Sequence, residues 1–320
     1  MRGVQYLFFA IIILFLSCRC SLNRGDKEIS CTIATLNGPS SMGMIKFIDS
    51  LSAIDKPDIF VKVFNEPMQV RKMMLEDEAD LAILPMTMAA LLYNKGMDYR
   101  LAAVPVWGSL YLLGRDSSIK SWGELRGKRV NVMGRGMTPD ILFRYLLRIN
   151  GVDPERDIVL DYSFPTHLEM ANALAAGVVE TGVVSEPQAS LILEKGEKLT
   201  VLMDLNTEWE RVHGAPMAQT ALLVKGSFAR NNAGLLKKVL QSYENSTLWV
   251  NHNPENAAAM IVKYQILPDK EIAAKSIPRS HLLYKSASEV KTVVEEYLKL
   301  FYETDLEIIG GRLPNENFYL

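Results

Sequence analysis

The sequence predicts an α/β protein of two lobes, each a parallel β-sheet covered by helices, facing one another across a crevice. Short apolar runs alternate with amphipathic stretches along the chain, which is the pattern of parallel strands joined by helices. The alternation occurs twice with the same rhythm. In both halves the strands feed Gly, Pro, Ser and Thr into helix starts, so the helix N-termini gather at the carboxyl ends of the strands.

In the first half the spacing predicts a strand near Thr32–Leu36, a loop through Asn37-Gly38-Pro39-Ser40-Ser41, and one helix with Met44, Ile48 and Leu51 on its inner face. A strand over Ile59–Val63 follows, then a helix opened by Glu66-Pro67 with Val70, Met73 and Met74 inward. Asp80–Leu84 is the next strand, and Pro85 to Thr87 open another helix. The second half repeats these steps. Val130–Met133 is a strand and Gly134-Arg135-Gly136-Met137-Thr138-Pro139 a turn. Ile141, Leu142, Tyr145, Leu146 and Ile149 stripe a helix that Gly151 ends. Ile158–Leu160 is a strand, Thr166 and Glu169 form a capping box, Gly177 closes that helix, Thr181–Val184 is a strand, and Glu186-Pro187 begins a helix. The loops correspond in pairs: Asn37–Met42 with Gly134–Thr138, Asn65-Glu66 with Phe164-Pro165, and Pro85–Thr87 with Ser185–Pro187. Beyond Gly214, Gln219–Val224 reads as a strand, with helical segments near Leu235–Val250, Ala257–Tyr264 and Ala287–Phe301 packed against the first lobe. Gly310-Gly311 and Pro314 end the chain in irregular structure.

Ahead of these lobes, Arg2, the apolar run Val4–Leu16 and the small residues before Cys18 have the layout of a cleaved export leader over residues 1–18, followed by a linker over 19–30. The run stops well short of the roughly 20 apolar residues a spanning helix needs. Phe15-Leu16-Ser17-Cys18 resembles a bacterial lipobox with Phe15 in place of the usual leucine; it predicts lipidation at Cys18, with an ordinary leader as the alternative. The protein is expected to be exported and held at the cell membrane by the lipid alone.

Composition excludes several classes of function. Of 320 residues, 35 are basic and 37 acidic, with no basic excess or clustered basic face, so nucleic acid is not a predicted partner. After lipidation Cys20 and Cys31 remain, enough for one disulfide and too few for a metal cage. His167, His213, His252 and His281 stand far apart with no other ligand type at metal spacing; each reads as a surface or cap residue, and no metal site is predicted. HExxH, the phosphate loop and the Gly-x-Ser-x-Gly elbow are missing, so neither a cofactor nor enzymatic activity is expected. Asn245-Ser246-Thr247 matches a glycosylation sequon inside a helical pattern and carries no function.

A crevice between strand carboxyl ends is lined by helix N-termini, whose free N–H groups and partial positive charge suit an acidic or hydrogen-bond-accepting ligand. Ser41, Thr138 and Thr166 also read simply as caps. A helix N-terminus contributes about 0.3 to 1 kcal/mol, about 2 when partly buried, whereas micromolar affinity needs about 8 kcal/mol. Enclosed apolar surface must supply the balance, and Met42, Trp107 and Met137 are the candidates, each with an alternative role in core packing.

The early Gly38-Pro39-Ser40 loop, Asp80-Leu81-Ala82-Ile83, the segment Ser121–Val130, Thr138-Pro139, Glu186-Pro187, and Gly311-Arg312-Leu313-Pro314 before Phe318-Tyr319 carry a resemblance. In this order, over nearly the whole mature chain, they resemble the NMT1 and taurine–sulfonate–nitrate class of periplasmic substrate-binding proteins of ABC transporters. The resemblance implies a type II periplasmic-binding-protein fold whose lobes close on a small organic or anionic molecule and deliver it to a permease and its ATPase; the protein is read as a monomer. It implies lobe 1 over 31–109 and 217–320 and lobe 2 over 110–216, with crossovers at Gly108–Gly114 and His213–Gln219. Pocket positions map onto Asn37, Gly38, Pro39, Ser40, Ser41, Met42, Pro85, Thr87, Trp107 and Gly108, and in the second lobe onto Gly136, Met137, Thr138, Pro139, Glu186 and Pro187. The only basic residue in the Gly134 loop is Arg135, and Asp140 in the first helical turn competes with an anion for the dipole. The ligand stays open among sulfonate, nitrate, thiamine pyrimidine, flavin-like rings and other small metabolites, with the apolar candidates favouring an organic molecule that has a flat or apolar portion. A surface lipoprotein that senses a ligand, and an enzyme of thiamine-pyrimidine or menaquinone synthesis, are the alternatives on the same fold.

Overall fold

The computed structural model describes residues 30–196 and 198–320. The leader, Cys18, Cys20 and the linker up to residue 29 lie outside the described residues. Cys31–Leu320 forms one compact unit with its own hydrophobic core.

In chain order the elements are β1 (Cys31–Leu36), α1 (Pro39–Gly43), α2 (Ile45–Leu51), β2 (Ile59–Phe64), α3 (Pro67–Leu75), β3 (Leu81–Pro85), α4 (Met86–Asn94), β4 (Tyr99–Val106) and β5 (Leu110–Gly114). The second sheet continues with β6 (Arg129–Asn131), α5 (Thr138–Ile149), β7 (Val159–Asp161), α6 (His167–Ala175), β8 (Thr181–Ser185), α7 (Gln188–Lys195), β9 (Thr200–Asp204) and α8 (Leu205–His213). The chain then returns through β10 (Thr220–Lys225), α9 (Gly226–Asn231), α10 (Ala233–His252), α11 (Pro254–Lys263), α12 (Lys270–Arg279), β11 (Leu282–Ser286) and α13 (Ala287–Thr304).

The strands form a six-stranded sheet in the order β11-β4-β10-β3-β1-β2 and a five-stranded sheet in the order β7-β6-β8-β5-β9. The two predicted sheets are present; the all-parallel pairing is not. Parallel pairing joins β2, β1 and β3 in one sheet and β7, β6 and β8 in the other, while β10 and β5 run antiparallel to β3 and β8. The reason is the connection. A strand that follows a crossover enters its sheet from the crevice side, where the parallel strands end, and so runs against them. Neither β4, β9 and β11 nor α12 has a sequence pattern strong enough to be read beforehand: β4 is buried along nearly its whole length and shows no alternation.

The first predicted helix is two. It breaks at Met44 because Ser246 of α10 inserts there, accepting the Lys46 and Phe47 N–H groups at 3.1 and 3.2 Å and donating to the Gly43 carbonyl at 2.8 Å. The residue in the middle of the sequon is thus a buried cap for a helix 200 residues away in sequence. The C-terminal tail lies on the six-stranded sheet, with Phe318 buried against Tyr93 at 5.1 Å and Leu320 N–H donating to the Leu101 carbonyl at 2.9 Å.

Candidate functional site

Five residues mark where the two sheets face each other: Pro85 and Val106 lie opposite Thr220, and Leu110 lies opposite Ser185. The chain passes between the sheets at Trp107–Ser109 and again at Gly214–Gln219. Ser109 Oγ donates to Gln219 Oε1 at 3.0 Å, tying the two passages together.

Loops of the two halves meet across the crevice, but crosswise to the correspondence read from the sequence: Pro85–Thr87 meets Gly134–Thr138, and Asn37–Met42 meets Ser185–Pro187. Thr87, at the start of α4, and Thr138, at the start of α5, bring their hydroxyls to 3.1 Å. Gly38 lies against Pro187: a Cβ on Gly38 would sit 3.4 Å from the proline Cδ, and φ of +145° is itself a glycine conformation. Glu186-Pro187 is a cis peptide. The closed crevice therefore rests on small groups, and a larger side chain at either contact would hold the lobes apart. Beside Gly38, Asn37 donates from Nδ2 to Asn65 Oδ1 at 3.1 Å while its own Oδ1 is buried without a partner.

Other predicted residues sit elsewhere. Ser40 bonds Thr35 Oγ1 and the Leu36 carbonyl, both at 3.3 Å, and its carbonyl accepts from Tyr243. The Ser41 hydroxyl turns back on its own loop, donating to the Gly38 carbonyl at 3.0 Å and accepting Gly38 N–H at 3.1 Å, and is fully buried. Met42 packs among Ile45, Val250 and Ile261. Trp107 is buried at the passage between the sheets and donates from Nε1 to the Leu283 carbonyl at 2.6 Å, and Gly108 lies against Asn206. Pro39 and Pro139 open α1 and α5, each half-buried, and Pro85 caps α4.

In the Gly134 loop, Gly136 is exposed and Met137 is 60% exposed. Asp140 is buried beneath the loop. Its Oδ2 accepts Gly136 N–H at 2.8 Å, and its Oδ1 accepts Arg144 Nε and the Tyr162 hydroxyl, each at 2.8 Å. The carboxylate that was expected only to compete for the helix dipole in fact takes one of the loop's own donors and is neutralised by arginine. Burial, together with the bond to Asp140, pushes the Tyr162 hydroxyl up to about 12. Arg135 lies over the Tyr162 ring, 5.4 Å from its centroid.

Glu186 is buried, and both carboxylate oxygens are engaged: Oε1 accepts Ser190 Oγ at 2.9 Å and Oε2 accepts Ser276 Oγ at 2.8 Å. Ser190 belongs to α7 and Ser276 to α12, so the carboxylate links the five-stranded sheet's helix to one packed on the six-stranded side. Burial raises its pKa; the two serine bonds and the Arg279 charge oppose the rise.

Of the histidines, His252 stays at a helix end, bonded to the Leu248 carbonyl at 2.7 Å. His213 is stacked on Trp209 at 3.9 Å and bonded to the Tyr145 hydroxyl at 2.8 Å. His281 lies where the passages meet. His167, first residue of α6, bonds Ser185 Oγ through Nδ1 at 3.1 Å. The residue is exposed, and desolvation by neighbouring atoms lowers its pKa against the pull of Glu66. His167 thus sits at the end of β8, where the chain enters Glu186-Pro187, a neighbour that spacing along the sequence does not reveal. Among the described residues no group of three His, Cys, Asp or Glu side chains could hold a metal ion.

Two sheets of this topology, joined by two passages and closing on the carboxyl ends of their parallel strands, define a two-lobe periplasmic-binding-protein fold. A family model described as menaquinone biosynthesis matches residues 42–303, and the chain belongs to that family. A crystal structure of an ABC transporter from Parabacteroides distasonis is 30% identical with a TM-score of 0.78, the match covering 91% of this chain and 99% of that one. The periplasmic aliphatic sulphonate binding protein SsuA from Escherichia coli shares the fold at a TM-score of 0.71 and 19% identity, covering 90% and 95% of the two chains. YtlA of Bacillus subtilis (strain 168), provisionally named a binding protein, is 26% identical over 173 residues; the match spans 54% of this chain and 50% of that one.

Proposed function

We propose that this chain is the extracytoplasmic solute-binding component of an ABC importer, which captures a small organic or anionic metabolite between lobes 31–109 plus 217–320 and 110–216. The observation that carries the reading is the contact of small groups across the crevice, Thr87 with Thr138 and Gly38 with Pro187. A ligand that bridges such surfaces stabilises the closed arrangement, and the permease reads that arrangement. Asn37, Gly38, Pro39, Pro85, Thr87, Gly136, Met137, Thr138, Pro139 and Pro187 are the lining we assign; Ser40, Ser41, Met42, Trp107, Gly108 and Glu186 support it from behind. Acylation at Cys18 after leader cleavage would anchor a monomer to the membrane. No helix among the described residues is long and apolar enough to cross one.

The test is a thermal-shift screen of the chain from Asn23 onward against sulfonates, nitrate, thiamine precursors, flavins and nucleobases. A ligand at 100 times its Kd adds about 2.7 kcal/mol, a rise of several degrees; no shift with any of them counts against capture of these classes.

His167, bonded to Ser185 at the strand end that leads into Glu186-Pro187, favours a second reading, proton transfer to a bound metabolite, in keeping with the family's description. Product formation from a panel ligand, followed by mass spectrometry and abolished in His167→Gln without loss of the thermal shift, would establish it. An unchanged ligand would refute it.

A further inference from the structure

Asn206, second residue of α8, is buried where three separate segments converge. Its Oδ1 accepts Met217 N–H at 3.1 Å, which holds the returning passage. The outgoing passage rests on the same side chain: Gly108 has φ of +89°, and a Cβ there would fall 2.4 Å from Asn206 Oδ1. Asn206 Nδ2 meets His281 Nδ1 at 3.4 Å, in the turn between α12 and β11.

These partners fix the direction of a chain of hydrogen bonds. With Oδ1 committed to Met217, the amide presents N–H to the imidazole, so Nδ1 accepts and Nε2 carries the proton. That N–H points to Tyr111 Oη at 3.1 Å, with Asp204 Oδ2 at 3.6 Å, and the Tyr111 hydroxyl donates to the Arg279 carbonyl at 2.6 Å. Backbone completes the knot, as Trp107 N–H donates to the His281 carbonyl at 3.2 Å. Tyr111 and Asp204 come from the five-stranded sheet, Arg279 and His281 from the segment before β11 of the other sheet. Burial opposes ionisation of Asp204, but His281 and the N–H groups of Thr207 and Asn206 hold its carboxyl below the ordinary range.

We propose that Asn206 is the pivot of lobe closure: one amide that pins both passages and, through His281, a third inter-lobe tie, so that the lobes rotate about a fixed point. The proposal rests on the capture reading and adds the residue that positions the lobes for it.

The experiment measures lobe separation by pulsed electron resonance between spin labels at Met68→Cys and Leu168→Cys. These sites are 56% and 69% exposed and lie at matching helix starts on the two lobes. The chain from Asn23 onward lacks Cys18 and Cys20, and Cys31 is buried. Asn206→Ala is expected to replace a narrow distance distribution by a broader and longer one, and to weaken binding of any ligand from the panel several-fold. His281→Asn, which tolerates the left-handed φ of 46° there but is too short to reach Tyr111, should do the same without touching either passage. Asn206→Leu keeps the volume of the side chain and removes both of its bonds, so an asparagine that merely filled space would leave the distribution as narrow as the wild type's, whereas the pivot predicts the broad one. Variant distances equal to the wild type's, whatever the melting temperatures, overturn the pivot. A wild-type distance that no panel ligand alters overturns the capture reading instead.

Discussion

Replacing Glu186 separates a ligand group from an inter-lobe fastening. Its carboxylate accepts from Ser190 and Ser276 and is buried. In Glu186→Ala both hydroxyls lose their acceptor, at about 1–3 kcal/mol each, so the loss is about 2–6 kcal/mol before any cavity term. At roughly 2 °C per kcal/mol for a chain of this size, the melting temperature should fall by about 4–12 °C. Glu186→Gln keeps an oxygen acceptor, offers its amide N–H groups to the second hydroxyl, and removes a charge that burial disfavours; the change at neutral pH should stay within about 1 kcal/mol of zero. The sign of the pH dependence follows from the raised folded pKa. Between the ordinary carboxyl range and the folded value, the folded state holds more protons than the unfolded state. Glu186 therefore contributes stability in acid that is lost as pH rises through this window. The melting temperature of Glu186→Gln minus that of the wild type should grow with rising pH. The assay is thermal unfolding by circular dichroism across that window. A glutamine variant as unstable as the alanine variant, or a difference flat with pH, refutes the reasoning. A glutamine variant that melts normally but no longer shifts with ligand would return Glu186 to the binding surface.

Thr138→Trp should prevent Thr87 and Thr138 from meeting and abolish the ligand-induced thermal shift while leaving the melting temperature of the unliganded chain within a few degrees. Ser41→Trp, by contrast, has no space in its fully buried loop and is expected to unfold the chain, seen as loss of the cooperative transition. Gly108→Ala forces a left-handed alanine, at about 1–2 kcal/mol, and places a methyl on Asn206, so it should lower the melting temperature and broaden the lobe distances together. Asp140→Asn weakens the Gly136 N–H bond that holds the Gly134 loop, together with the Arg144 and Tyr162 bonds that fix the carboxylate beneath it; faster amide exchange at Gly136, measured by hydrogen exchange, is the expected result.

Helix starts were legible because their chemistry is local. Thr166 with Glu169, Pro67 after Glu66, and Thr138-Pro139 are read within four residues, and each opens a helix in the structure. The repeated alternation likewise announced two sheets with loops at their carboxyl ends, although the loops that meet, Thr87 with Thr138 and Gly38 with Pro187, are not the pairs it aligns. What failed was whatever depends on a partner distant in sequence. Nothing near Met44 announces the Ser246 hydroxyl that splits the first helix, and nothing near Glu186 announces Ser276. A polar residue in a glycine- and proline-rich loop reads alike whether it faces ligand or turns inward, which is why Ser41 and Glu186 were mapped with Thr87 and Thr138.

By itself the sequence determined the class of fold, the two-fold rhythm and the helix starts, although of the predicted caps Ser41, Thr138 and Thr166 only Thr166 caps its helix. These follow from periodicity and from backbone donors at helix ends, which need only neighbouring residues. The tertiary structure decided the direction of β5 and β10, the burial of Ser41, Met42 and Glu186, and the convergence of Gly108, Met217 and His281 on Asn206. Each of these depends on which segments share a space once the chain has crossed between the sheets twice, and burial and hydrogen-bond direction exist only after that packing is set.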